Sequence, residues 1–239
     1  MNKKLVLTLF VLLIAIIGVV AIVIKVENPI QNSGAENMFP QSVGTSKTII
    51  RNKDESIDSF VVRTAPTVAF DSASSTFTQT NKLEPSQDPL PLQLNDKDAI
   101  AAFYSNPLKN ADGVDAYLYI DEGSNKYSRF FIGVIEPEGD IPHVLSVFTA
   151  NADSDPEKEL ILIMSWEQQH YTVSGTLYGV NVYDDLSHIK DGTFTFLPKI
   201  SEQLDPGCDC ERAPEEGTNS TARYKDEAGV VKELKRLGY

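Results

Sequence analysis

The chain reads as an α+β protein: an antiparallel β-sheet of about five or six strands covered by a C-terminal helix, with an N-terminal transmembrane helix ahead of it. Three observations predict this. Leu5–Ile24 is an uncharged run rich in Leu, Ile and Val. Short β-branched and aromatic segments follow one another between Val114 and Leu197, separated by Gly, Pro, Asn and Asp turns. The last twenty or so residues place Ala228, Val231, Leu234 and Leu237 at helical spacing. The expected organisation is a signal-anchor or transmembrane segment over 1–26, a flexible tether over 27–94, and an extracytoplasmic α+β domain over 95–239.

The apolar run is as long as the ~20 residues that a helix needs to cross a bilayer core. Lys3 and Lys4 precede it, and positive charge beside a first span holds that end in the cytoplasm. The rest of the chain is then periplasmic, with the protein single-pass in the inner (cytoplasmic) membrane. A cleaved signal peptide is the competing reading. Its apolar region is normally shorter and ends at a small-residue cleavage site. Val19-Val20-Ala21 offers such residues, but apolar side chains continue to Ile24, and this length favours an uncleaved anchor. No Cys follows the run, so a lipoprotein signal is absent.

Charge narrows the partners. The chain has 34 acidic and 21 basic residues and a net charge of −13. Three of the basic residues, Lys3, Lys4 and Lys25, lie in or beside the apolar run, whereas the first acid is Glu27. An exported part this acidic argues against nucleic acid and an anionic lipid surface as partners. It suits divalent cations or a basic protein, and equally a simple solubility charge.

Residues 27–94 are rich in Asn, Ser, Thr, Gln and Pro, a composition that buries little. One island, Ile57–Phe70, carries Phe60, Val61 and Val62 and predicts an edge strand limited by Pro66. Asn95 as N-cap, with Asp98 three residues on, predicts a short helix over Asp96–Tyr104 with Ala99, Ile100 and Phe103 on one face. Strands are expected at Val114–Asp121, Tyr127–Glu136, Val144–Ala150, Leu160–Trp166, Thr176–Asp184 and Gly192–Leu197. Residues 198–218 read as irregular. They hold the two cysteines, Cys208 and Cys210, which suit a local disulfide or free thiols better than a zinc site wanting four ligands. The C-terminal helix is expected to begin at a cap among Asn219, Ser220 and Thr221.

The densest chemistry lies between the third and fourth strands. Asn151, Asp153, Asp155, Glu157 and Glu159 alternate along one loop. With Asn151 as the first position, oxygen side chains fall at the first, third, fifth and ninth, and Glu157 can offer its carbonyl at the seventh. Calcium takes six to eight oxygens from loops of this alternation. The pattern resembles the D-x-D-x-D-G-x-x-[DE] loops of FG-GAP and VCBS-type repeats, and the strand Leu160–Ile163 follows it at once. The resemblance spans about fifteen residues in one copy, too little to imply a propeller. It implies a structural Ca2+ site. The loop departs from the pattern at Asn151, which replaces an acid, and at Pro156, which replaces a Gly and excludes positive φ. An acidic solvated hairpin turn is the competing reading.

A second candidate is the turn Glu167–Tyr171. Trp166, Gln168, Gln169, His170 and Tyr171 pair large aromatics with polar groups, as interaction surfaces do. Alternatively, Trp166 closes the core and the turn is merely polar. No nucleophile elbow or phosphate loop is present, and Ser187-His188-Ile189-Lys190 matches S-x-x-K without its companion motifs. The expected function is therefore a membrane-anchored, non-enzymatic binding domain of a bacterial envelope protein with a calcium loop, binding or inhibiting another envelope protein. The alternatives are an envelope hydrolase using Glu167, His170 and a nearby Asp, or a structural or assembly protein without ligand.

Overall fold

A computed structural model describes residues 47–70, 79–106 and 113–239. The expected transmembrane segment and the first part of the expected tether lie outside them. Among the described residues no helix is long and apolar enough to cross a membrane. The described chain is mostly β, with antiparallel sheets and a few short helices.

Ten strands build two larger sheets. The first contains β1 (Lys47–Ile50), β4 (Glu84–Pro85), β5 (Leu90–Leu94), β6 (Lys97–Ser105), β7 (Val114–Asp121) and β8 (Lys126–Ile135), in the order β1-β8-β7-β6-β4 with β5 also on β6. The second contains β9 (His143–Ala150), β10 (Glu159–Gln169), β11 (Val173–Tyr183) and β12 (Gly207–Arg212), in the order β12-β11-β10-β9. β2 (Thr67–Phe70) and β3 (Gln79–Lys82) form a separate hairpin. The helices are α1 (Ile57–Thr64), α2 (Pro198–Gln203) and α3 (Glu227–Leu237).

The two large sheets enclose one core as the halves of a partly closed barrel. Ala99, Ala101 and Phe103 of β6, Ala116 and Leu118 of β7, and Leu160, Leu162, Met164 and Trp166 of β10 meet there. Each sheet is also covered on its outer face. Phe60, Val61 and Ala65 of the α1 region lie on Ile100, Ala102, Tyr104, Tyr119 and Tyr127. Val230 and Leu234 of α3, with Ile200 and Leu204, lie on Ile161, Ile163, Val180 and Val182. The sheets therefore sit as two inner layers between helical covers.

At one edge the sheets are joined by a side chain. Gln87 lies between β4 and β5; its amide nitrogen donates to the Val144 carbonyl (2.9 Å), and its amide oxygen accepts from the Val144 N–H (2.8 Å). The amide does there what a neighbouring strand would do. At another edge, Thr193 bridges to Phe131 of β8 and Phe196 to Tyr183 of β11. Burying strands on both faces removes the alternation that usually marks them, because successive side chains all meet apolar surroundings.

This explains the differences from the sequence-based expectations. Asp96–Tyr104 is not a helix but most of strand β6. Its unbroken Ile-Ala-Ala-Phe-Tyr is buried throughout, with odd residues facing the shared core and even ones α1. Asn95 and Asp96 are not a cap. They turn the β5–β6 hairpin with φ of 49° and 64°, the left-handed conformation that two-residue hairpin loops require. Ile57–Thr64 is a helix rather than an edge strand. Ser56 caps it, its side chain accepting from the Ser59 N–H (3.1 Å), and Pro66 follows its end. Phe60 and Val61 are adjacent yet both buried, since the helix lies along Tyr119 and Tyr127; Phe60 stacks at 5.4 Å and 4.9 Å from their rings.

From residue 47 onward, the stretch expected to be tether largely joins the fold, through β1, α1, β4 and β5. The expected single sheet is instead two. Gly192–Leu197 makes only isolated bridges. Residues 198–218, expected to be irregular, contain α2 and β12, and Cys208 and Cys210 form a disulfide on that strand. α3 begins later than expected, capped by Asp226, and Ala228 stays exposed while Val230 is buried.

A candidate metal centre

Register places the site. In the β10–β11 ladder Leu160 pairs with Tyr183, and in the β9–β10 ladder Glu159 pairs with Ala150. Glu159, the first residue of β10, therefore lies beside the end of β11, where Asp184 and Asp185 follow. The loop 151–158 and the turn after β11 open at the same end of the second sheet. The acids of the one are thereby brought to the acids of the other.

Two overlapping sets result. Asp153, Asp155, Glu159 and Asp184 each place a ligand atom within 4.8 Å of one another, and so do Asp155, Asp184, Asp185 and His188. Asp155 and Asp184 belong to both. Of the residues singled out by alternation, Asp153, Asp155 and Glu159 converge, while the Glu157 carboxylate belongs to neither of these carboxylate and histidine sets, which do not extend to amides such as Asn151. Asn151 and Glu157 are both exposed.

The loop is held by its own carboxylates. The Asp155 N–H donates to Asp153 Oδ1 (2.9 Å), and the Glu157 N–H to Asp155 Oδ1 (3.0 Å). Such aspartate turns bend the chain without left-handed residues. No residue of 151–158 has positive φ. Pro156 is thus accommodated where the repeat pattern has glycine.

Glu159 is the unusual member. Its side chain is fully buried. Oε2 accepts from the Ala152 N–H, while Oε1 has no hydrogen-bond partner. Burial pushes its carboxyl up to about 7, with Asp153 and Asp155 adding to the rise and the Ala152 N–H opposing it. An unsatisfied buried oxygen is destabilising, and a buried carboxyl clustered with other carboxylates is placed for a cation.

Asp185, missed by the sequence reading, caps the short turn Leu186–His188. Its Oδ1 accepts from the Ser187 N–H (2.6 Å), and its Oδ2 lies 2.8 Å from His188 Nδ1. Burial opposes ionisation of Asp185, but the bonds from Ser187 and His188 outweigh it and hold the carboxyl below its usual range. The Asp185 bond, then the Asp184 charge 3.2 Å from Nδ1, raises the His188 pKa. The signal for this second half was Asp184-Asp185 with His188 three residues on, directly after a predicted strand. Only the ladder register connects it to the loop.

Donor chemistry fits a divalent cation. Five carboxylates from three segments suit hard, oxygen-seeking ions, and one imidazole admits a transition metal at the His188 side.

The aromatic turn is differently placed. Trp166 packs in the shared core, and its indole N–H donates to the Glu136 carbonyl (3.1 Å). Gln168 donates to the Glu138 carbonyl (2.6 Å). Glu167, Gln169, His170 and Tyr171 are exposed, Tyr171 completely. Among the described residues the His170 side chain makes no hydrogen bond or ion pair, and it is not part of the acidic sets.

Comparison of the chain with known protein families, with curated proteins and with solved structures finds no match.

Proposed function

We propose that the protein is a membrane-anchored, extracytoplasmic binding domain of a bacterial envelope, without enzymatic activity, in which a calcium ion ties the β9–β10 loop to the end of β11. One observation carries the metal reading: Glu159, whose buried Oε1 has no hydrogen-bond partner, places a ligand atom within 4.8 Å of carboxylates from separate segments. In that reading Asp153, Asp155, Glu159 and Asp184 hold the ion. Asn151 and Glu157 shape the loop rather than ligate. The anchor rests on Leu5–Ile24, and an envelope location follows from Lys3 and Lys4 ahead of it. The exposed tip at Gln169, His170 and Tyr171 is the surface offered to a protein partner, with Tyr171 as its anchor.

The test is thermal melting of the full chain in detergent, after chelation, against calcium, magnesium and zinc. Binding to the folded state alone stabilises by about 2.7 kcal/mol at a hundredfold excess over Kd. For a chain of this size that is roughly 5–10 °C in Tm. A melting temperature unmoved by millimolar calcium overturns the calcium assignment, and a shift with zinc alone reassigns the metal to the His188 side.

A further inference from the structure

We propose that a second site, formed where β1, the end of α1 and the start of β2 meet, binds a small organic carboxylate anchored on the Arg129 guanidinium. A cavity of about 420 Å3 opens there, lined by Thr48, Ile49, Arg63, Thr64, Thr67 and Arg129. None of these belongs to the acidic sets, so the site stands independently of the metal reading.

The two arginines differ in what they have left to offer. Arg63 is engaged: its Nε and Nη2 donate to Glu55 at 2.7 Å and 2.8 Å, and Nη2 also reaches the Ile50 carbonyl (2.8 Å). Arg129 is half-buried, and the one hydrogen bond its side chain makes among the described residues runs from Nη1 to the Thr64 carbonyl (2.6 Å). It lies 5.5 Å and 5.9 Å from the ring centres of Tyr117 and Tyr119. No carboxylate among the described residues pairs with it, in a chain whose acids outnumber its bases 34 to 21. Ring faces offset part of the cost of withdrawing a guanidinium from water. A counter-charge offsets the rest.

The chemistry selects the ligand class. One unpaired guanidinium supplies a single positive charge and a planar fork, which matches a planar, singly charged carboxylate. A phosphate dianion brings a second negative charge that the Glu55-bound Arg63 cannot balance. The cavity exceeds what a carboxylate alone fills, and its size is that of small-molecule sites generally. Ile49 and Ala65 give the lining apolar residues for the ligand's body, and Thr48 and Thr67 add hydroxyl-bearing ones.

The experiment is amide NMR of the full chain in detergent micelles, titrated at constant ionic strength with isovalerate, with its neutral isostere isovaleramide, and with inorganic phosphate. Saturating shifts at the Thr64, Ala65 and Arg129 amides are expected with isovalerate and not with the amide. Affinity should fall at least tenfold in Arg129→Gln, and also in Arg129→Lys, which keeps the charge but loses the fork. Trialanine binding more tightly than its C-terminal amide would identify a peptide terminus as the source, and isovalerate binding without it a free acid; both support the site. Shifts reproduced by isovaleramide, unchanged affinity in Arg129→Gln, or stronger binding of phosphate would overturn it. Should the variants not fold, the acid and amide pair on the native chain still decides.

Discussion

At the scale of residues, Glu159 is the side chain on which the candidate site turns. It is completely buried at the mouth of a loop otherwise built of solvated acids. Its carboxyl titrates near 7 in the folded chain, against an ordinary value of 4.5. Between those values the folded state holds a proton that the unfolded state has lost. Its contribution to stability is therefore fully present below the lower value and is lost as pH rises through the upper one. Chelated wild-type protein should lose stability from pH 5 to pH 8 relative to Glu159→Gln. Melts of the two at matched pH would show it, with the gap closing at low pH. The same variant should raise metal-free stability at pH 8 and abolish the calcium-induced shift. An E159Q protein that still responds fully to calcium would remove Glu159 from the ligand set. The loop's three convergent acids were legible in the sequence because a tight loop aims alternate side chains at one point. The Glu157 carboxylate shared the alternation without joining the cluster, in a loop that bends through aspartate turns rather than around a glycine.

At the scale of elements, the covers matter as much as the strands. α3 has the expected apolar stripe in shifted phase: Val230 and Leu234 face the sheet, with Val231 and Leu237 half-buried beside them. Leu234→Ala should cost about 2–5 kcal/mol, in the range for emptying a buried leucine site. Asp226→Ala, which removes the acceptor for the Gly229 N–H (2.8 Å), should cost about 1 kcal/mol. Urea unfolding of both variants checks the ratio; equal and small effects would mean that α3 adds little to the outer core. α1 illustrates what local patterning misses. Its Phe-Val-Val reads as strand by propensity, yet the Ser56 cap, Arg63 in the last turn and Pro66 beyond it are helix punctuation. Packing against Tyr119 and Tyr127 stabilises the helix in spite of its β-branched residues.

At the scale of the whole molecule, the two sheets depend on one another through their shared core and through Gln87. Replacing Gln87 by Glu keeps its size and its acceptor but removes the donor to the Val144 carbonyl. The expected cost is about 1–3 kcal/mol, the penalty for an unmet polar group. Hydrogen exchange should show the β9 edge opening first, while an unchanged pattern would assign closure to apolar packing alone. The part with visible period or punctuation could be read from local sequence alone. That covers strands β7 to β11 within a residue or three at their ends, the turns between them, the C-terminal helix, and the Asp153, Asp155 and Glu159 half of the candidate site. Everything that depends on surroundings came instead from packing and strand pairing. β6 lost its alternation because both of its faces are buried. β1, α1, β4 and β5 joined the fold from a stretch whose composition reads as tether. Asp184, Asp185 and His188 met the loop because the β10–β11 register sets Leu160 opposite Tyr183. A period of two survives in sequence only where one face meets water. Proximity between segments more than twenty residues apart is set by pairing, which no local pattern records.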